Sequence, residues 1–360
     1  MNNSINKTNN KTNRIEYFQY VRAISIIAVI LIHSRNGISF QNTNGAWNFD
    51  YWLIIRQIIN FPVAIFFFFS GYFVKIDIAE KDKLFYYIKR GGKLYLPFLI
   101  WSAIYAIPKL IFDFKNIQFL DLIIKTFLGL TAGHLYFILV LLQFVFLTPL
   151  ILKKIKLKKY NVFLLLITPL YLGLLYFYTF KTGEQLPYYH IVFPAWFIFY
   201  YLGLLMNIKK ENILFSKINN TYIAIVIVVL GLAMSILEGY IQLKFEFPVT
   251  FAASQIKFSS FIYSIAVINL IFVVKPYFEN FKSKELKLIG DRSYGIYYIH
   301  MAYIMIVSKL ISVFSNNYLE NMLPFFQMIQ LVLVVTLSLL SIKITKKVLG
   351  DKFSRKLFGF

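Results

Sequence analysis

Cysteine is absent from this chain of 360 residues. The absence excludes disulfide bonds, metal sites built on thiolates and any acyl-thioenzyme intermediate on the protein itself, so a covalent intermediate would need an oxygen or nitrogen nucleophile. Histidine is also scarce, and no two of the four histidines have the spacing of metal ligands. We therefore expect no metal site and no permanently bound cofactor.

Charged side chains are few as well. They make up 15% of the residues, whereas 59% are hydrophobic and 19% are aromatic. This composition is typical of a polytopic membrane protein and not of a set of soluble domains. The net charge is +22, but Lys and Arg fall between apolar segments instead of clustering on a soluble face. Membrane orientation therefore explains the charge better than nucleic-acid binding does.

Windows of about 20 apolar residues predict an all-α fold, a polytopic bundle of about ten transmembrane helices. If the amino terminus is cytoplasmic, most Lys and Arg fall in the inside segments. The outside loops then hold only Arg35, Lys115, Lys125, Lys181, Lys244 and Lys257. This alternation predicts that both termini are cytoplasmic.

The domain organisation follows from the same pattern. We expect a disordered cytoplasmic leader at 1–13, one transmembrane domain at 14–347 and a basic cytoplasmic tail at 348–360. No small-x-small cleavage site follows the first apolar segment, which indicates a retained span. The bias towards Lys, Asn and Ile indicates an AT-rich, bacterial genome. We therefore expect a multi-pass protein of the bacterial plasma membrane.

Arg22 and His33 lie eleven residues apart in the first apolar segment. At ~100° per residue they share one helix face, ~16 Å apart along the axis. Ionisable residues inside a transmembrane helix are costly, so the pair is a functional-site hypothesis. The alternative is that Arg22 reaches the cytoplasmic headgroups and His33 lies at the outer interface.

Two further histidines, His134 and His190, open predicted spans on the same outer side as His33. Imidazole is a common general base near neutral pH. The alternative, favoured for His190, is that an amphipathic ring simply suits the interface. In the second span Ser70 precedes Gly71, and such small residues serve helix packing more often than nucleophilic attack.

A predicted cytoplasmic segment contains Lys89, Arg90 and Lys93 around two consecutive glycines. Flexible backbone surrounded by cations is an arrangement that can hold phosphate groups. The alternative is that these cations only reflect the inside location of the segment.

Five motifs in this order resemble those of the integral membrane acyltransferases of acyltransferase family 3, the bacterial O-acyltransferases of surface glycans. They are Arg22 and His33, similar to Arg-x10-His; Phe66–Tyr72, similar to FFxxSG; Arg90–Lys93, similar to Arg-x-x-Arg; Gly133–Phe137, similar to His-Leu-Trp-Phe; and Ser293–His300, similar to SYGIYLIH. Two positions depart from the family pattern. Lys93 replaces an arginine and loses its bidentate fork, and Tyr136 replaces a tryptophan.

The resemblance implies transfer of an acyl group, most often acetyl, from cytoplasmic acyl-CoA to a hydroxyl of a cell-surface or lipid-linked glycan. On this reading His33 is the general base and Arg22 positions the donor or stabilises charge at the thioester. Arg90, Lys93 and Lys89 hold the phosphates of coenzyme A. The supporting residues around the acceptor are His134, Tyr136, His300 and Ser70.

The expected partners are therefore acyl-CoA, a glycan acceptor and the lipid bilayer, without nucleic acid. A rival reading is an exporter of a polysaccharide or lipid-linked glycan, and a third is a membrane module for amino-acid delivery. Dependence on acyl-CoA separates the enzyme from the exporter. The sequence leaves open the acceptor, the acyl chain and the route of the acyl group across the bilayer.

Overall fold

The computed structural model describes residues 2–34, 47–112, 118–155, 157–209, 220–278, 280–314 and 323–360. These ranges are largely helical and contain no strand, so the all-α prediction is confirmed. In chain order the α-helices are α1 (Asn2–His33), α2 (Trp47–Ile58), α3 (Pro62–Tyr72), α4 (Ile76–Lys81), α5 (Lys83–Tyr86), α6 (Gly92–Phe112), α7 (Phe119–Phe127), α8 (Tyr136–Lys154), α9 (Lys158–Thr182), α10 (Phe197–Lys209), α11 (Thr221–Lys244), α12 (Val249–Ala252), α13 (Phe258–Val274), α14 (Lys284–Phe314) and α15 (Leu323–Phe358). One turn of π-helix (Tyr87–Gly91) joins α5 to α6.

Nine segments of the described chain are long and apolar enough to cross a membrane. They are Glu16–His33, Phe49–Tyr72, Lys83–Phe112, Tyr136–Lys154, Lys159–Thr182, Thr221–Lys244, Phe258–Phe278, Lys284–Ile311 and Pro324–Phe358. An α-helix satisfies its own backbone hydrogen bonds, which a lipid environment requires. The chain is therefore a polytopic helical bundle, as predicted. The side that each terminus faces stays a prediction, and so does the division into leader, domain and tail.

The predicted span that opens at His190 is shorter than expected. Its helix, α10, has 13 residues and begins only at Phe197. Pro187 and Pro194 interrupt the preceding stretch, because proline lacks a backbone N–H and cannot continue a helix. Residues 183–196 instead approach α10 as turns and a short 3₁₀ helix. Irregular backbone consequently carries His190 into the bundle.

The second apolar segment is also broken, between α2 and α3. Pro62 starts α3, a position where its missing N–H costs nothing. The buried Asn60 amide fills the break and donates to Gln57 Oε1 (2.9 Å) and to the Ser254 carbonyl (3.3 Å). Non-helical backbone at membrane depth requires such partners within the protein.

Two helix pairs approach closely enough to require glycine. A Cβ atom on Gly203 of α10 would lie 2.0 Å from the Phe68 carbonyl oxygen of α3, and one on Gly71 would lie 2.1 Å from the Tyr200 carbonyl oxygen. A Cβ on Gly290 of α14 would lie 2.0 Å from the Gln19 carbonyl oxygen of α1. Small residues at such crossings let helix backbones touch, and the contacts fix α3 and α14 relative to their neighbours.

The segment after Gly350 folds back onto the bundle. Gly350 adopts φ 77°, a left-handed conformation that favours glycine. The indole N–H of Trp101 donates to the Phe358 carbonyl (3.1 Å), and the Phe360 ring lies 6.0 Å from the Trp101 ring. The last aromatic residues therefore pack against α6.

The close contact between α3 and α10 predicts that adding one methyl group at Gly203 destabilises the protein. Gly203→Ala should lower stability by about 1–3 kcal/mol or more, because rigid backbone faces the new Cβ and overpacking strains the core. Thermal unfolding in detergent would measure the loss. Gly173→Ala is the matched control, since nothing lies within 4 Å of a Cβ placed there. Equal melting temperatures for the two variants would contradict the proposed contact.

Candidate active site

Two cavities lie towards opposite ends of the central helices. The His190 cavity, of about 220 Å³, has polar and aromatic walls that include His33, Trp52, Arg56, Tyr136, Tyr189, His190, Trp196, Ser254 and Gln255. The Arg22 cavity, of about 330 Å³, has walls that include Gln19, Arg22, Phe66, Phe69, Ser70, Arg90, Phe137, Asp291 and Tyr297.

The order of wall residues along α1 and α3 shows how the cavities are arranged. Going along α1, the chain passes from Arg22 in one cavity to His33 in the other. Along α3 the order is reversed, because the chain runs from Val63 at the His190 cavity to Phe69 at the Arg22 cavity. The two helices are therefore antiparallel, and both run from one cavity to the other.

A narrow space, the central neck, lies between the two cavities. Its volume is about 30 Å³ and its walls are Val29, His33, Val63, Phe66, His134, Tyr136, Phe137 and Tyr297. Val29, Val63, His33 and Tyr136 also belong to the His190 cavity. Phe66, Phe137 and Tyr297 also belong to the Arg22 cavity. The shared residues show that the neck adjoins both cavities, so the three spaces lie next to one another within the bundle.

Three histidines from distant parts of the chain meet beside the neck. The His300 ring centroid lies 5.5 Å from that of His33 and 5.0 Å from that of His134. His300 Nδ1 donates to the Tyr297 carbonyl (2.6 Å), which leaves the proton-accepting lone pair on Nε2. The Tyr297 hydroxyl in turn donates to the His134 carbonyl. The structure thus brings together three of the predicted site residues.

Tyr136 lines both the neck and the His190 cavity. Its ring meets that of His190 edge to face with centroids 4.8 Å apart, and it stacks against Trp196 at 6.1 Å. The Trp196 indole N–H donates to the His190 carbonyl (3.0 Å) and holds the irregular segment together just before α10. Tyr136, which stands where the family has tryptophan, is therefore held as an aromatic wall.

Arg22 does not reach the histidines. Its guanidinium lies over the rings of Phe69 (5.8 Å) and Phe73 (5.3 Å), and Nη1 donates to Gln19 Oε1 (3.2 Å). Cation–π contacts of this kind hold an arginine in an apolar setting. Arg22 and His33 therefore belong to one helix but to different cavities.

The three predicted phosphate-binding residues converge on one further space, the Lys93 pocket. It measures about 250 Å³ and is lined by Phe73, Lys75, Ile78, Tyr86, Lys89, Arg90 and Lys93. Arg90 also lines the Arg22 cavity, so the two spaces are adjacent at this residue. The π-helical turn Tyr87–Gly91 carries Lys89 and Arg90, and such turns are frequent at functional sites.

Ser70 lies on the wall of the Arg22 cavity and not among the histidines. Its hydroxyl donates to the Phe66 carbonyl one turn earlier (2.8 Å), a common use of serine within helices. Its own carbonyl accepts from Arg90 Nη2 (2.7 Å). The FFxxSG segment therefore contributes backbone that holds the arginine of the basic segment.

Sequence reasoning missed several residues of the His190 cavity, of which Arg56 is the clearest. Arg56 is an ionisable residue within an apolar segment, so the argument that identified Arg22 would have found it. Tyr189 and Gln255 carry no comparable signal, because only the folded chain brings their loops to the cavity.

A buried polar network braces the helices behind this cavity. Lys257 Nζ donates to the carbonyls of Ser235 (2.8 Å) and Ala252 (3.0 Å), and Glu238 accepts from the backbone N–H of Ser259 (2.9 Å). Burial lowers the pKa of Lys257, which precedes the spanning segment Phe258–Phe278, to about 8. The network joins α11 to the start of α13.

Among the residues that the structure describes, no group of three or more His, Cys, Asp or Glu side chains could hold a metal ion. The polar side chains that line the neck are those of His33, His134, Tyr136 and Tyr297.

The family comparison matches residues 15–342, nearly the whole chain, to the acyltransferase domain of acyltransferase family 3. No curated protein and no solved structure matches the chain.

The contact between Ser70 and Arg90 predicts different effects of two substitutions. If Arg90 holds a phosphate of coenzyme A, as the resemblance implies, Arg90→Ala should weaken coenzyme A binding about tenfold or more, the usual loss for a charged hydrogen bond. Ser70→Ala should bind nearly as wild type, because the Arg90 partner is the Ser70 backbone. Calorimetry on purified protein would measure both affinities, with the exposed Lys159→Ala as the basic control. An Arg90→Ala variant with wild-type affinity would contradict this reading.

Proposed function

Because the chain belongs to acyltransferase family 3, we propose that it is a membrane O-acyltransferase that moves an acyl group, most often acetyl, from acyl-CoA to a hydroxyl of a cell-surface or lipid-linked glycan. The observation that carries the proposal is the line of spaces from the cationic Lys93 pocket, through the Arg22 cavity and the central neck, to the histidines. The donor enters at one end of this line and the acceptor at the other.

The donor end is cationic. Lys89, Arg90 and Lys93 bind the phosphates of coenzyme A, a role for which their shared pocket and charge are suited. The long arm of the donor then extends through the Arg22 cavity towards the neck. Arg22, held over two aromatic rings, lies on that path and stabilises negative charge on the donor.

The chemistry takes place at the neck, next to His33. His33 accepts the proton of the acceptor hydroxyl as its oxygen attacks the thioester carbonyl. The C–S bond breaks, the coenzyme A thiolate leaves, and the proton on His33 returns to that thiolate. The products are the ester and coenzyme A. His300, which the Tyr297 carbonyl fixes in one tautomer, packs against His33 and positions its ring.

The acceptor end is aromatic and polar. Trp52, Tyr189 and Trp196 offer flat apolar surfaces, while Arg56 and Gln255 add hydrogen-bonding groups. Pockets of this mixed character bind small polar ligands in a defined orientation. A sugar ring, with apolar faces and hydroxyl edges, fits that description.

The size of the neck supports the enzyme over the glycan exporter. The neck measures about 30 Å³, and one water molecule needs about 10–15 Å³ on this measure. A sugar unit is several times larger than this space. An acyl group of two carbons requires far less room, so passage of the acyl group alone is the better fit.

The charged loops support a cytoplasmic Lys93 pocket and an outward-facing His190 cavity. This arrangement suits a donor made in the cytoplasm and an acceptor at the outer surface. We place the protein in the bacterial plasma membrane on the composition of the chain, as a multi-pass protein of that membrane.

The proposed chemistry can be tested in vesicles of purified protein. His33→Ala should lower acyl transfer by roughly two to four orders of magnitude, because a general base acts in the transition state. Donor binding should remain, since His33 lies at the neck and outside the Lys93 pocket. Arg22→Lys should recover part of the activity lost in Arg22→Ala if charge alone is required.

Turnover should be normalised to folded protein, and coenzyme A release should be measured with and without acceptor. Near-normal turnover by His33→Ala would remove His33 from the mechanism. Movement of unmodified glycan without acyl-CoA would favour the exporter.

The absence of cysteine makes the orientation testable with single substitutions. Glu184→Cys, at an exposed position after α9, should react with a membrane-impermeant maleimide in intact cells. Lys159→Cys, exposed at the other end of α9, should react only after permeabilisation. The parent protein is the control, since it contains no thiol. The reverse pattern would overturn the orientation of the donor and acceptor ends.

A further inference from the structure

The central neck, at about 30 Å³, has the smallest volume of the spaces between the proposed donor and acceptor ends, and its walls are mostly apolar. Phe66, Phe137 and Tyr297 line both the neck and the Arg22 cavity, so anything that extends from that cavity to His33 passes them. His33 lines the neck and the His190 cavity, where the acceptor enters. On the acyl transfer proposed above, the reacting carbonyl lies in the neck.

Neighbouring rings brace the wall on both sides. The Phe137 centroid lies 4.6 Å from that of Phe67, 6.1 Å from that of Phe66 and 5.3 Å from that of Tyr297. Tyr297 is held further by its hydrogen bond to the His134 carbonyl. Close-packed aromatic rings have few alternative positions, so the neck does not widen without displacing several of them.

The volume sets the size of the acyl group. At about 30 Å³, against about 10–15 Å³ for one water, the neck accommodates roughly two to three heavy atoms. An acetyl group has three. A longer chain would meet the Phe66 and Phe137 rings on one side and the incoming acceptor on the other.

We propose that Phe66 and Phe137 are the residues that restrict this protein to short acyl donors, because they close the neck around the acyl group beside His33. The proposal rests on the acyl transfer proposed above and adds the chain length of the donor and the side chains that select it. The two rings act as a length stop, by which we mean that they limit the length of the acyl chain. Each methylene group that lengthens the acyl chain beyond acetyl contacts one of the two rings.

Competition between two donors tests the proposal. Vesicles of purified protein receive equal acetyl-CoA and butyryl-CoA, and the ester products are separated by mass. Wild type should favour acetyl by at least tenfold, since even one methylene in a hydrophobic pocket is worth about 10–200-fold. Phe66→Ala and Phe137→Ala should each raise the butyryl-to-acetyl ratio about tenfold or more. A ratio within one preparation does not depend on the amount of folded protein.

Phe144→Ala is the matched control. Phe144 is buried on the same helix as Phe137, packs against the same Phe67 ring at 5.4 Å, and lies outside the neck. Its truncation creates a comparable void and should leave the product ratio unchanged. Phe66→Leu and Phe137→Leu keep the proposal testable if the alanine variants do not fold, and a smaller rise in the ratio is expected from them.

The product ratios from the donor competition either support the length stop or overturn it. A raised ratio in the Phe66 and Phe137 variants with an unchanged ratio in Phe144→Ala supports the length stop. Equal use of the two donors by wild type, or an unchanged ratio in variants that still transfer acetyl, overturns it while acyl transfer stands. Failure of wild type to transfer either acyl group would overturn the proposed function and the length stop together.

Discussion

The contact between α1 and α14 is the constraint on which the site depends. Gly290 lets the two backbones meet at Gln19, so the helices remain side by side from that point onward. Because of this contact, His33 at the end of α1 and His300 on α14 reach ring distance. The Arg22 cavity opens beside the same pair at its other end. A small residue at one crossing thereby determines the position of groups several turns away.

The sequence predicted the helical class, and within the candidate site it predicted those spatial relations that are local. Residues eleven apart on one helix share a face whatever the rest of the chain does, which holds for Arg22 and His33. The meeting of His134 and His300 depends on how separate helices pack, and spacing along the chain contains no such information. Arg56 could have been found with the rule applied to Arg22. The short α10 could also have been anticipated from Pro194, which prevents an unbroken helix.

Two of the sequence motifs, the aromatic segment that ends in Ser70 and Gly71 and the basic segment that contains Arg90, contact each other in the structure. The carbonyl of Ser70 in the aromatic segment accepts from Arg90 in the basic segment, so the two act as one structural unit. Lys93 faces the same pocket as Arg90 without the planar fork of arginine, which leaves Arg90 as the residue able to form paired hydrogen bonds with a phosphate. The helical turn that carries Lys89 and Arg90 is wider than an ordinary α-turn, which brings both cations to one space.

Part of the His190 cavity wall comes from irregular loops, whereas most residues at the neck come from packed helices. His190 and Tyr189 come from the turns at 183–196, and Gln255 comes from the loop before α13, whereas His33 and Phe66 are on continuous helices. Loops accept substitutions and changes of length more readily than packed helices do. Changes in these loops therefore reshape part of the His190 cavity while leaving His33 and Phe66 in place on their helices.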